Sequence, residues 1–415
     1  MPLQQKITNN FIGKVVRKDL VSLLKGFLGF YVPTYVLEHL LREYCQTDNE
    51  ESLKEGIENV KQFLLKNYAI PTEADALKKK IRESGSCCVI GCISVQLNKI
   101  KNEYQAEFTN LGLTNIPIEN QYIKTNPKLL SEYGEWCIIT IGYEEKTEHW
   151  SIQSLEPIRI SNVNIEDYIE RRKYFSTHEW IDLMMHTIGI DPAPMSRREK
   201  LITIARLIPY VEHNFNFIEL GTSETGKSYI FDEFSPYSIL GCCDMTIENL
   251  FVTMCPNKEV LGFVNYGDVV AWDDFDQCMV SGVDFGLKQL IRMYCFDGSY
   301  RYGDIPHKAS ASMVFIGCSE YSNAYTQNTS HHLECLPTAF LDASFLINTH
   351  LYNPGWEIKR LTRNSFSKGY GLTSDYMATV LHTMRDIDCV KLIKNYAEFD
   401  KTISLRDYIA ISKTF

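Results

Sequence analysis

The chain has 415 residues, 45% hydrophobic and 23% charged, with a formal net charge of -10. That balance describes an ordered protein with room for two or three domains and excludes a disordered chain. It also disfavours a globally basic nucleic-acid binder and leaves only a locally basic surface for such a role.

Residues 1–84 read as a helical segment. Leu20, Leu23, Leu24 and Phe27 recur at helical spacing after Asp19, and Val36 to Leu41 continue the pattern beyond Pro33. Leu53 to Leu65 forms a further amphipathic stretch, and Ala74 to Ile81 a basic one. Lys78, Lys79 and Lys80 are candidate phosphate contacts, although a solvated helix face explains them equally simply. Residues 85–163 change character. The short runs Ile93–Leu97, Tyr104–Phe108, Trp136–Ile141 and Ile158–Ile160 predict a small β-rich, barrel-like domain, open to DNA binding although no aromatic-and-basic stripe marks a single-strand site. Residues 164–210 return to helix as a linker, with Thr177 a candidate cap and Ser196 with Glu199 a capping box. Alternating strands and helices over 211–360 predict a three-layer α/β core, and 361–415 a helical lid.

The chain holds 13 cysteines, but none is spaced as a zinc knuckle. Cys87, Cys88 and Cys92 therefore read as free thiols of a reducing cytoplasm. His331 and His332 have no neighbouring ligand cluster and are assigned no metal. No signal peptide is evident, and every apolar run breaks before the ~20 residues a membrane span needs. A cytoplasmic protein without a membrane partner is expected.

The most informative segment is Gly221-Thr222-Ser223-Glu224-Thr225-Gly226-Lys227-Ser228, which fits GxxxxGK(S/T) and follows the strand-like run Phe215–Leu220. A loop between strand and helix points backbone amides at phosphate. Gly221, Thr225, Gly226, Lys227, Ser228 and Tyr229 are the candidate nucleotide-binding positions. Lys227 reaches the outer phosphates and Ser228 ligates magnesium. Asp273 closes the hydrophobic run Val269–Trp272 and is the second candidate magnesium ligand. Asp274 follows as the candidate water-orienting carboxylate, and Asp276 reads as a surface acid. Glu224 is expected to face outward, because a carboxylate beside a triphosphate is repulsive. Glu219 receives no role.

Taken together, these segments resemble the Lon-like AAA+ proteins of bacterial BREX phage-exclusion systems, the BrxL family. The resemblance is carried by Val15–Leu20, Val32–Glu38, Glu58–Lys61, Phe175–Asp182, Ala205–Pro209, Ile218–Ser228, Phe234–Leu240, Asp268–Asp274 and Pro354–Ile358. It implies a P-loop AAA+ core, ATP and Mg2+ as cofactors, and a ring-like homo-oligomer. It further implies association with double-stranded DNA and other phage-defence subunits. It assigns no proteolytic residues within these 415 positions, because the family's protease-like region lies beyond the matching segments.

Four departures from the family pattern predict weak or lost ATP hydrolysis. Thr222, Ser223 and Glu224 stand where the family loop has Pro-Arg-Gly, and Asp274 where it has glutamate. Cys318 occupies the sensor asparagine position and Asn348 the ring-completing arginine position. A thiol orients water poorly, and an amide carries no charge for a neighbour's site. Arg17, Lys18, Lys78, Lys79, Lys80, Arg171, Arg172 and Lys173 are the candidate DNA contacts. The alternative reading is a nonenzymatic scaffold or DNA-binding assembly protein that retains the P-loop fold.

Overall fold

The apolar runs around the glycine-rich loop form strands buried on both faces, as a parallel sheet requires. The computed structural model describes residues 1–45, 49–98, 103–130, 134–160, 163–242, 245–255, 258–275, 285–318, 333, 336–337, 340–341 and 343–415. Asp276, His331 and His332 lie outside them. The chain divides into two units, Met1–Lys18 with Ser161–Phe415, and Asp19–Ile160. The first 84 residues are thus shared between units instead of forming one helical segment. The reason is a long-range pairing: β1 (Val15–Arg17) runs antiparallel to a strand far along the chain, with Val15 opposite Leu372 and Arg17 opposite Tyr370. Around it, the Phe11 ring packs within 6.4 Å of the rings of Tyr168, Phe175, Trp180 and Tyr376.

The unit Asp19–Ile160 carries helices Thr34–Tyr44, Glu50–Asn67 and Ala74–Ser84, then five antiparallel strands. These are β2 (Ser86–Asn98), β3 (Glu103–Phe108), β4 (Leu113–Pro117), β5 (Glu135–Glu144) and β6 (His149–Pro157), with a short helix, Asn120–Thr125, between β4 and β5. Their order is β4-β3-β2-β5-β6, and β4 also approaches β6, so the sheet curls toward a barrel. Gly91 makes this curvature fit, because a Cβ there would lie 2.2 Å from the Phe108 ring. The last strand is His149–Pro157, not the expected Ile158–Ile160. It has one buried side chain, Leu155, and so lacks a strong hydrophobic alternation.

In the other unit, capping boxes open helices Thr177–Thr187 and Arg197–Ala205. The first cap is Ser176, one residue before the expected Thr177, and the second is Ser196 with Glu199 as expected. The following strands are β7 (Phe217–Gly221), β8 (Ser238–Gly241), β9 (Val252–Cys255), β10 (Lys258–Leu261), β11 (Val269–Trp272), β12 (Ser299–Tyr302), β13 (Ile305–Lys308), β14 (Ser312–Cys318), β15 (Leu351–Pro354) and β16 (Tyr370–Leu372). Five of them make one parallel sheet in the order β15-β7-β14-β11-β8. Its apolar core includes Ile218, Val270, Trp272, Met313 and Phe315, with the Phe275 ring tilted against Phe315 and edge-to-face with Phe340.

Helix Ser374–Met384 is tied to the core at the start of β11. His382 Nδ1 lies 2.8 Å from Asp268 Oδ1, and Arg385 donates to the carbonyls of Pro209, Tyr210 and Ser310. Asp268 therefore anchors this helix at the N-terminal end of β11, the opposite end of the sheet from the loop. His350 stacks on Phe215 and accepts the Asn216 amide through Nδ1, while burial lowers its pKa to about 3.

Candidate functional site

Register brings the C-terminal ends of β7, β14 and β11 together, the edge where open α/β sheets bind ligands. Gly221 pairs with Cys318, and Trp272 with Phe315, so Asp273 leaves β11 at the level of Ile316, two residues before Cys318. Gly221 has no space for a side chain, since a Cβ would lie 2.4 Å from the Gly355 carbonyl carbon. Gly226 has φ +74° and opens helix Lys227–Glu233.

Lys227 is buried and donates to the carbonyls of Gly221 at 3.0 Å and Thr222 at 2.7 Å. Burial lowers its pKa, partly offset by Cys318 and Glu219 nearby. Ser228 Oγ donates to Asp273 Oδ1 at 2.9 Å, and the Asp274 amide donates to the same oxygen at 3.1 Å. Thr225 Oγ1 donates to the Thr222 carbonyl, and Tyr229 reaches back toward Gly189 of the linker. Lys227, Ser228, Asp273 and Cys318 thus converge on the loop.

Asp274 is exposed and holds φ +45°, a left-handed conformation that aspartate tolerates better than glutamate. The Glu224 side chain faces solvent, as expected, with φ +63°. Its carbonyl accepts the Leu361 amide at 2.7 Å, so the segment after β15 is fastened over the loop. An L-residue in this region costs about 1–2 kcal/mol that glycine does not. Glu224→Gly is therefore expected to raise the apo melting temperature by relieving strain and to change MgATP affinity little, because the carboxylate it removes already faces solvent; a thermal melt and a calorimetric titration of both proteins check this.

Sequence reasoning gave Glu219 no role, yet it lies at the centre of a buried network. Arg206 donates to its carboxylate through Nε (2.9 Å) and Nη2 (2.6 Å), with both side chains fully buried. Arg206 Nη1 also donates to the Thr225 carbonyl at 3.1 Å. Asn353 Nδ2 donates to Glu219 Oε2 and to the Ile202 carbonyl. The signal in the sequence was an acid inside an otherwise apolar strand.

Asn348 is remote from this loop. Its Nδ2 donates to the Ser344 carbonyl, and it borders a cavity of about 510 Å³ shared with Arg292, Phe296 and Arg406. Arg360 and Arg363 are exposed, and Arg360 adjoins Leu361 on the chain's own loop.

The basic candidates scatter. Lys18 is buried and so is withdrawn from the surface, which counts against a DNA contact there. Arg171 pairs with Asp167 at 2.7 Å and also donates to the Asn10 carbonyl. Arg172 donates to the Phe175 carbonyl and lies over the Trp180 ring. Arg17 lies in β1, and Lys78 pairs with Asp75. Lys79, Lys80 and Lys173 are exposed, with Lys173 paired to Glu170 at 2.6 Å and Lys79 lying 3.9 Å from Glu83.

The residues suit a magnesium–triphosphate group. Among the described residues the buried Lys227 ammonium meets carbonyls and no carboxylate partner. Beside it a hydroxyl and a carboxylate already share one spot. No described group of three or more His, Cys, Asp and Glu residues could hold a metal ion by itself. Magnesium at such sites takes one or two protein ligands together with substrate phosphates.

Fold and site together define a P-loop nucleotide-binding module of the AAA+ type. Family comparison agrees: residues 150–415 match "Lon-like protease BrxL-like, ATPase domain", and residues 9–143 match "BREX system Lon protease-like protein BrxL N-terminal". The chain belongs to the BrxL family of Lon-like BREX proteins. It is 38% identical over 420 residues to the Lon-like protease BrxL of Escherichia coli O9:H4 (strain HS), and 40% identical over 422 residues to that of Bacillus cereus (strain H3081.97). Each alignment covers 99% of this chain but 59% and 61% of those relatives, so the chain spans about three fifths of their length. The full-length MCM homolog of Methanopyrus kandleri aligns with TM-score 0.45 and 10% identity, over 96% of this chain and 93% of its own. Among the described residues no helix is long and apolar enough to cross a membrane.

Proposed function

We propose that the chain is a divergent AAA+ module of a BREX-type anti-phage defence system that binds MgATP at Gly221–Ser228 and hydrolyses it slowly or not at all. The convergence of Lys227, Ser228 and Asp273 at the end of the parallel sheet carries this reading. Lys227 exchanges its two carbonyl partners for phosphate oxygens, and Ser228 and Asp273 hold the cation. Magnesium, when bound, neutralises charge on the phosphate oxygens. Asp274 orients the attacking water from a shorter arm than glutamate provides, and catalytic geometry is sensitive at the ångström scale. The Cys318 thiol beside Gly221 is a weak hydrogen-bond donor for the same water. Tight MgATP binding with little turnover is the expected outcome of calorimetry and phosphate release. Robust turnover abolished by Asp274→Ala would overturn the impaired-ATPase reading.

A nonenzymatic scaffold is favoured by one observation, the solvent-facing, left-handed Asp274. In that case MgATP, or the folded loop alone, holds an assembly together. Absence of any MgATP binding would favour the scaffold held by the folded loop alone and exclude the one held by nucleotide.

DNA association as a ring-like homo-oligomer, alongside other defence subunits, is part of the same proposal. The five-stranded barrel order of the unit Asp19–Ile160 supports it, because partly open five-stranded barrels serve as oligonucleotide-binding modules. Lys79 and Lys80 are exposed cations of its basic helix, together with Arg82, and Lys79 lies 3.9 Å from Glu83. Lys79→Glu with Lys80→Glu is expected to weaken duplex binding at every sequence and to flatten its salt dependence by about one unit of slope per lost phosphate contact. A filter-binding salt series measures both.

A further inference from the structure

Beneath the loop lies an ion pair whose cost calls for an explanation. Arg206 and Glu219 have fully buried side chains, and a buried pair loses so much hydration that apolar residues of similar volume often stabilise as well or better. The arrangement does something apolar residues do not. Nε and Nη2 of Arg206 grip Glu219 at 2.9 and 2.6 Å, which fixes the guanidinium plane. Nη1 is thereby aimed at the Thr225 carbonyl, 3.1 Å away.

We infer that Arg206, locked by Glu219 and Asn353, is a positioning residue that turns the Thr225–Gly226 peptide so that the Gly226 amide faces the phosphates of the bound nucleotide. In a trans peptide the carbonyl and the following N–H point in opposite directions. Holding the Thr225 carbonyl down on Arg206 directs the Gly226 N–H to the other side of the loop, and φ +74° at Gly226 then turns the chain into helix Lys227–Glu233. Asn353 secures Glu219 by donating to Oε2 at 3.0 Å while its other hydrogen meets the Ile202 carbonyl at 3.1 Å. Gly355 completes the fit, since a Cβ there would lie 2.7 Å from Glu219 Oε1. Arg206 itself follows helix Arg197–Ala205 as its C-cap, at the edge of the linker, so the linker and the loop share one guanidinium.

This assignment rests on the nucleotide-site reading above, and the test separates the two. MgATP affinity by calorimetry and apo melting temperature are measured for the wild type, Arg206→Met, Arg206→Met/Glu219→Met and Arg206→Lys. The double variant removes both charges and is expected to melt near the wild type yet bind MgATP at least tenfold more weakly. A purely stabilising pair predicts instead that the double variant recovers affinity together with stability, and that result would overturn the assignment. Should the double variant not fold, Arg206→Lys decides. It keeps the charge but has no planar fork to engage Glu219 and Thr225 together, so several-fold weaker binding supports the role and wild-type affinity overturns it. A wild type that binds no MgATP overturns the nucleotide site and this assignment together.

Discussion

Lys227→Ala is expected to weaken MgATP binding by roughly 30-fold to several-thousand-fold, while the protein stays folded. The magnitude follows from the ~2–5 kcal/mol typically lost when one partner of a buried, hydrogen-bonded charge pair is truncated. In the free protein Lys227 is a buried ammonium held by two carbonyls, and burial already lowers its pKa. Its removal therefore takes away a desolvated cation and also leaves the buried Gly221 carbonyl without this donor, two effects that offset each other in the free protein. The apo melting temperature should stay level or rise, which separates a binding defect from a folding defect. Calorimetric titration together with a thermal melt reads both. Unchanged affinity would sink the proposed site.

Glu219→Ala should have the largest effect on stability. It leaves the Arg206 guanidinium buried without its carboxylate and deprives Asn353 of an acceptor. Breaking a buried pair on one side costs about 3–5 kcal/mol. For a unit of this size that corresponds to a fall of roughly 6–20 °C in melting temperature. Glu219→Gln keeps the shape and one carbonyl acceptor and should lose clearly less. Equal melting of the Ala variant and the wild type would show that the network contributes nothing measurable.

The loop, its preceding strand and the acidic strand were legible in the sequence because each is local. GxxxxGK(S/T) is one turn of chain, and β11 is four apolar residues ending before Asp273. The capping box at Ser196 and Glu199 was equally readable, since its two hydrogen bonds span three residues. Strand β6 departs from the expected position because the alternation begun by Trp150 and Ile152 is broken by a register shift before Leu155. Glu219 was passed over because its partners lie 13 and 134 residues away in sequence.

Composition and local pattern by themselves determined an ordered, acidic chain with a loop of phosphate-binding pattern and a candidate metal-binding aspartate, while the family resemblance marked Glu224, Asp274, Cys318 and Asn348 as departures. Only the tertiary structure decided that Val15–Arg17 belongs with the carboxyl-terminal unit, that Lys18 is withdrawn from solvent, and that Arg206 reaches both Glu219 and the loop. Hydrogen bonds within a turn or helix are written in neighbouring residues. Strand pairing and buried ion pairs join distant residues, and their partners become evident once the chain has closed on itself.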